Sequence, residues 1–295
     1  MAGGKIKITT IPSKLIDMQT LSLGNGQVAI WWLGQAGFAV RADSHTFLID
    51  PYLSDSLAKK YKDKKFPHKR MMPIPVNPAA LKEINWVFST HLHTDHMDPE
   101  TIKLLARDSG CHFFVPCAVL SQAVANQGLE INKTTCVNVG YPLTLDAGIS
   151  LHPIPSAHEE IMVNSKGEHY FLGYIFRLGD IQLYHSGDCV PYEGLIEHLQ
   201  NYKPDVALLP VNGRDHYRLS QSIAGNFHFE EALRLCVDAE IPYLIPHHFG
   251  MFDFNTVDPI ELRTKIEKSS GPVSIILPQI DNAYCVTRFN NPKKR

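Results

Sequence analysis

The chain has 295 residues, 28 of them Lys or Arg and 30 Asp or Glu, for a formal charge of −2. So even a balance excludes wholesale binding of long nucleic acid or acidic membrane, which a broadly cationic surface drives. The 44% hydrophobic and 20% charged content is that of a folded globular chain, and no apolar run approaches the roughly 18 to 20 residues of a membrane-crossing helix.

In chain order, β-branched and aromatic runs predict strands over residues 28–33, 46–49, 86–89, 112–115, 149–153, 170–178, 181–185, 206–210, 243–246 and 273–277. Helical patterns fall at 99–107, 118–126, 192–199, 230–239 and 259–268, the last with Asp258 as N-cap and Pro259 at the first helical position. The first 50 residues are mainly strand and the rest alternates strand with helix, which predicts an α/β class with antiparallel meanders. Neither G-x-G-x-x-G nor G-x-x-x-x-G-K-[ST] occurs, so nucleotide-cradling folds lose support. No Gly/Ser linker or repeat divides the chain, and residues 1–295 read as one domain. Residues 54–78 stand apart as a lid-like insertion, with Pro73, Pro75 and Pro78 at its end and seven basic residues between Lys59 and Arg70. Such a segment brings positive charge to a small anionic substrate.

Six cysteines (Cys111, Cys117, Cys136, Cys189, Cys236 and Cys285) contain no C-x-x-C pair, and the opening MAGGKIKITT lacks the apolar core of a signal peptide. The expectation is reduced thiols in a cytoplasmic protein without membrane insertion. Histidine, by contrast, occurs 15 times. At this length a core forms without a metal staple, so a metal held by these histidines would be functional.

The decisive stretch is Val87-Phe88-Ser89-Thr90-His91-Leu92-His93-Thr94-Asp95-His96. An apolar strand runs out, and three imidazoles and a carboxylate follow within six positions. Alternation puts His91 and His93 on one side, while Asp95 and His96, past a turn, face another. Two adjacent metal sites fit that pattern, and a mixed nitrogen and oxygen set accepts zinc, manganese or iron.

This H-x-H-x-D-H pattern resembles the signature of the metallo-β-lactamase superfamily. The resemblance implies an αββα sandwich, two mixed sheets face to face with helices outside and the metals at one edge. It implies two divalent cations, one held by His91, His93 and His158 and the other by Asp95, His96 and His248, with Asp188 spanning both. His158 lies in Ser156-Ala157-His158-Glu159, with His152 as a competitor. Asp188 ends His185-Ser186-Gly187-Asp188 after a strand. In Ile245-Pro246-His247-His248 the family pattern selects His248, with His247 as rival. Asp50, after the strand at 46–49, matches the family's first motif and is expected to accept the remaining N–H of a ligand histidine; His185 is placed in the same outer layer. Cys189 is set aside as a ligand because the set is already complete. Two cations roughly 3.5 to 4 Å apart bring the pKa of a shared water toward about 7, which points to hydrolysis of an activated carbonyl or phosphoester, with Asp95 and Asp188 as catalytic candidates.

Within the superfamily, Ile30-Trp31-Trp32-Leu33-Gly34-Gln35-Ala36-Gly37 and Leu183-Tyr184-His185-Ser186-Gly187-Asp188 resemble the L-ascorbate-6-phosphate lactonase branch, although that branch has an aspartate at the place of His158. Phe66-Pro67-His68-Lys69-Arg70 is also similar to the N-acyl-phosphatidylethanolamine phospholipase D branch. The lactonase resemblance implies opening of a lactone or ester of a small, phosphorylated sugar acid, a homo-oligomer, and manganese, where the wider superfamily favours zinc. The alternative is a metal-dependent phosphodiesterase for a small cyclic or lipid phosphodiester, or a nuclease. A redox diiron protein would carry a carboxylate where this chain has His93. Arg214 and Asn212, after the strand at 206–210, and Lys69 and Arg70 in the lid are candidates to bind the substrate anion. The tandem Trp31-Trp32 is expected in the core.

Overall fold

The computed structural model describes residues 4–289; residues 1–3 and 290–295, the ends of the expected 1–295 unit, lie outside the described residues. The chain first lays down β1 (Lys5–Pro12), β2 (Val28–Gly34), β3 (Gly37–Ala42), β4 (His45–Ile49), β5 (Trp86–Phe88), β6 (His112–Pro116) and β7 (Thr134–Val137). It then builds a second sheet from β8 (Leu143–Asp146), β9 (Ile149–Pro155), β10 (Leu172–Leu178), β11 (Ile181–His185), β12 (Val206–Pro210), β13 (Tyr243–His247) and β14 (Ser274–Ile275). Finally β15 (Asn282–Phe289) returns to the first sheet and pairs between β1 and β2. Both sheets are mixed: antiparallel pairing gives way to parallel pairing at β4–β5 in one and at β11–β12 in the other.

Period-two alternation explains the layering. In β2 and β3, Ile30, Trp32, Phe38 and Val40 face the second sheet and meet Leu151, Tyr174, Phe176 and Leu183. The intervening Ala29, Trp31, Leu33 and Ala39 face outward, where Ile102 and Leu105 of α2 (Pro99–Asp108) and Ala123 of α3 (Leu120–Gln127) cover them. Each large aromatic in this set contributes about 1.5–3 kcal/mol by leaving water, so Trp31 and Trp32 are core residues, as expected. The parallel strands β11 to β13 are apolar on both faces, because α4 (Leu195–Tyr202) and α6 (Phe229–Asp238) pack Leu195, Leu199, Ala232 and Cys236 on their outer side. The α/β class with two mixed sheets between helices is thus observed.

Boundaries follow local chemistry. Asp98 and Asp258 accept backbone N–H bonds at the starts of α2 and α7 (Pro259–Lys268), each followed by proline at the first helical position. The insertion after β4 is partly ordered, with a short α1 (Ser56–Lys60) and a wall of rings behind it. The remaining short helix, α5 (His216–Ser220), follows β12. The expectation of reduced thiols is corrected at one pair. Cys117 and Cys136 form a disulfide, with Cα atoms 4.6 Å apart. The β6–β7 register sets Val115 against Cys136, and the chain turns at Cys117 directly above it; a search for C-x-x-C cannot see that pairing. Among the described residues no helix is long and apolar enough to cross a membrane.

Candidate metal centre

The functional candidates sit on the segments that leave the C-terminal ends of β4, β5, β9, β11 and β13, where the edges of the two sheets meet. Asp50 follows β4, the motif from His91 to His96 follows β5, His158 follows β9, Asp188 follows β11 and His248 follows β13. Gly187 makes the turn before Asp188 at φ +63°, where a Cβ would meet Thr90 side-chain atoms at 2.9 Å and Leu172 O at 3.0 Å, so only glycine fits. Asp50 and His248, at φ +45° and +60°, also hold left-handed backbone, the kind of strain that collects at functional sites.

Three overlapping groups of side chains bring their donor atoms within 4.8 Å of one another: His91 with His93 and His158, His91 with His96 and Asp188, and Asp95 with His96 and His248. Asp188 lies between them, Oδ1 3.2 Å from His96 Nε2 and Oδ2 3.2 Å from His248 Nε2 and 3.7 Å from His158 Nε2. His158 Nε2 lies 3.2 Å from His93 Nδ1. Of the two rivals at the end of β13, His248 enters the cluster, while His247 stacks on His185 with centroids 4.9 Å apart. His152 is engaged with Ser150 Oγ instead. Buried Cys189 donates its thiol to Val190 O.

A layer of hydrogen bonds behind these groups fixes which nitrogen faces inward. Asp50 Oδ2 accepts from His96 Nδ1 at 2.7 Å and from Thr90 Oγ1 at 2.7 Å, while Oδ1 accepts from Thr90 N. Thr90 Oγ1 in turn lies 3.1 Å from His91 Nδ1, so both rings turn Nε2 toward the cluster. His185 donates through Nε2 to Ala36 O and accepts Gly187 N–H at Nδ1, which ties down the turn carrying Asp188.

Electrostatics match a cation. Burial, reinforced by neighbouring imidazoles, pushes His91 well below the usual histidine range, and burial brings His158 down to about 4, so both offer neutral lone pairs at neutral pH. Burial opposes charge on His96, yet the carboxylates of Asp188, Asp50 and Asp95 outweigh it and hold its proton well above the ordinary imidazole value. Burial also opposes ionisation of Asp188, and His248 and His96 overcome it to hold the carboxyl well below its usual range. The buried His91 Nε2, His96 Nε2 and Asp188 Oδ1 have no hydrogen-bond partner. Inward-facing, unpartnered nitrogen and oxygen atoms around three carboxylates are the donor set a divalent transition metal satisfies, so the residues fit such a group.

His93, Asp95, His158, Asp188 and His248 of the cluster floor a cavity of about 620 Å³. Its far wall comes from the insertion, with Leu57, Lys60, Tyr61, Lys64, Lys65 and Phe66, and its flank from Ile223, Phe252 and Phe254. The structure does not bring the four anticipated anion-binding residues here. Arg70 turns inward to bond the carbonyls of Tyr52 and Met72 and covers the Tyr52 ring, and Lys69 is outside the lining. Arg214 pairs with both Glu231 oxygens at 2.6 and 2.7 Å and lines a neighbouring cavity. Asn212 is buried, and donates to Asn255 Oδ1 from behind the wall. Lys60, Lys64 and Lys65, inside the basic stretch that stood out in the sequence, take the facing positions. Gln35, which motif reasoning passed over, donates to Asp95 Oδ2 at 2.9 Å; its place between two glycines at a strand's end was the available signal.

Comparison with known proteins agrees with this architecture. Residues 45–249 match the family model described as a beta-lactamase superfamily domain. A UPF0173 metal-dependent hydrolase of Aeropyrum pernix is 24% identical over 264 residues, covering 86% of this chain and 95% of that one. Among solved structures, Igni18, a metallo hydrolase from Ignicoccus hospitalis, aligns with a TM-score of 0.63 and 23% identity over 90% of this chain and all of that one. An isothiocyanate hydrolase from Delia radicum gut bacteria aligns at 0.69 and 19% identity, over 86% and 97% of the two chains. At these identities the structural likenesses speak for the fold. The family match runs from β4 to just past His248 and takes in all seven candidate ligands: this chain belongs to the beta-lactamase superfamily.

Proposed function

We propose that the protein is a metal-dependent hydrolase of a small anionic substrate. One observation carries the reading: His91, His93, His158, His96, Asp188, Asp95 and His248 converge in three groups, each within 4.8 Å, and five of them (His93, Asp95, His158, Asp188 and His248) line one cavity. Two divalent cations, zinc or manganese with iron as a third fit, would be held there as the superfamily resemblance implies, and they supply Lewis acidity and an acidified water. Asp188 and Asp95 are the catalytic carboxylates; both are ionised at neutral pH and placed to accept and return a proton at the cavity floor. Lys60 and Lys64, exposed across the cavity, draw in and hold the substrate's negative end. Leu57, Ile223 and Phe252 exclude water beside the reacting bond.

We favour a carbonyl substrate, a lactone or ester of a small phosphorylated acid, because the branch motifs at 30–37 and 183–188 point there. The lysines serve a small phosphodiester equally well, which keeps phosphodiesterase as the second reading. Lactones and bis-p-nitrophenyl phosphate assayed at identical metal loading separate the two. Preferential lactone opening supports the first; phosphodiester cleavage without lactone opening replaces it with the second. A folded, metal-replete protein that hydrolyses neither overturns the hydrolase reading for both classes.

A further inference from the structure

Gln35 occupies the turn between β2 and β3, on the same edge of the sandwich as the ligand segments, and is 1% exposed. Its backbone is left-handed at φ +51°, and its carbonyl accepts from His248 N and Trp32 Nε1, each at 3.0 Å. Neighbouring Gly34 is at φ +91°, where a Cβ would come within 2.7 Å of Met72 Sδ. The turn is therefore pinned on both sides, and the side chain has one place to go.

That place is between two candidate ligands. Gln35 Nε2 stands 2.9 Å from Asp95 Oδ2 and 3.0 Å from His248 Nε2. The amide orientation follows from chemistry: reversed, it would set Oε1 against a carboxylate oxygen, acceptor to acceptor. Meanwhile Asp188 Oδ2 lies 3.2 Å from the same His248 Nε2. That nitrogen cannot accept from Gln35 and donate to Asp188 together. The conflict ends when a cation takes the His248 lone pair, with Asp188 and Asp95 as its companions, and the Gln35 amide keeps only its bond to Asp95. Gln35 Oε1, also buried, has no hydrogen-bond partner.

We propose that Gln35 is the positioning residue for the Asp95–His248 side of the metal centre, holding that carboxylate and that imidazole at the separation a cation requires. The inference rests on the metal-centre reading above and adds a residue that acts on one half of the centre. Loss of an outer-layer hydrogen-bond partner typically weakens metal binding about 10–100-fold. The His91–His93–His158 side makes no contact with Gln35 and is expected to be indifferent.

The test is calorimetric titration of the metal-free, full-length protein with Zn²⁺ alone, following each binding step separately. For Gln35→Met, which keeps the length and removes the hydrogen bonds, one of the two steps falls at least tenfold while the other stays within twofold. Gln35→Glu keeps the length and polarity but sets a carboxylate against Asp95 Oδ2, acceptor to acceptor, and does not recover that step. Thermal unfolding of the metal-free variants checks folding, and the step that stays unchanged reports an intact site. Two distinct steps in wild type with both unchanged in Gln35→Met overturn the role of Gln35 and leave the metal-centre reading standing. Loss of both steps together in a folded Gln35→Met shows a general structural role and also overturns it, as does binding like wild type at both steps in Gln35→Glu. No Zn²⁺ binding by wild type overturns the metal-centre reading itself.

Discussion

His91, His96 and His248 of the ligand cluster at the cavity floor are at most 1% exposed, and the first two, which lie behind the lining, are locked by hydrogen bonds to Thr90 and Asp50. Across the same cavity, Lys60, Lys64 and Lys65 are exposed on a short helix and turns, held by a wall of rings in which Tyr61 stacks on His68 at 4.2 Å and His68 packs edge-on to Phe254 at 4.7 Å. The ligand cluster, His93 apart, is largely buried, strained at Asp50 and His248 and preorganised, whereas the lid is solvated, and Lys59 and Lys65 reach out at its surface to Glu100 and Gln221. Under the proposed function, such a division would put the reaction at the floor and the choice of substrate at the lid, because buried groups feel weakly screened charge and exposed ones do not.

Substitutions can break that division. The largest effect is expected on the floor: Asp188→Ala removes the carboxylate shared by the candidate groups, and activity falls by well over the roughly 100-fold typical of an outer-layer change, with metal content falling in parallel by elemental analysis. Asp50→Asn sits one layer out. It weakens the hydrogen bond that orients His96, and metal affinity falls about 10–100-fold, measured by competition with a chelator. On the lid, Lys60→Glu with Lys64→Glu raises KM for an anionic substrate several-fold, leaves kcat and metal content unchanged, and loses its effect in high salt as Debye screening shortens. Arg214→Ala is the smallest: its guanidinium is already paired with Glu231 outside the cavity, so KM stays within about twofold. A lid substitution that strips metal, or a floor substitution that changes KM alone, contradicts the division.

The floor was also the more legible half in sequence. His91, His93, Asp95 and His96 fall within six positions, so a local pattern names them, whereas His158, Asp188 and His248 needed the family order to be found after three separate strands. Strands such as β11 and β12, and helix α7, lie where apolar runs and the Asp258–Pro259 signal put them. β1 and β15 carry β-branched and aromatic residues (Ile6, Ile8, Thr9, Thr10 and Ile11; Tyr284, Val286 and Thr287) yet lie outside the predicted strands, and their pairing joins residues at the two ends of the chain, a neighbour no local pattern names. Arg70 and Arg214 look alike in sequence to phosphate-binding arginines. Only tertiary structure shows their donors engaged by the Tyr52 and Met72 carbonyls and by Glu231. Gln35 was hidden for the opposite reason: beyond its place between two glycines, an uncharged side chain carries no mark of a role until the β2–β3 turn is set against His248.

The most direct test of the metal centre is the metal content of the purified, folded chain, compared with that of His93→Ala and Asp188→Ala. The account predicts close to two transition-metal ions per chain in wild type and a loss of at least one in each variant. A metal-replete wild type whose content is unchanged by both substitutions contradicts it.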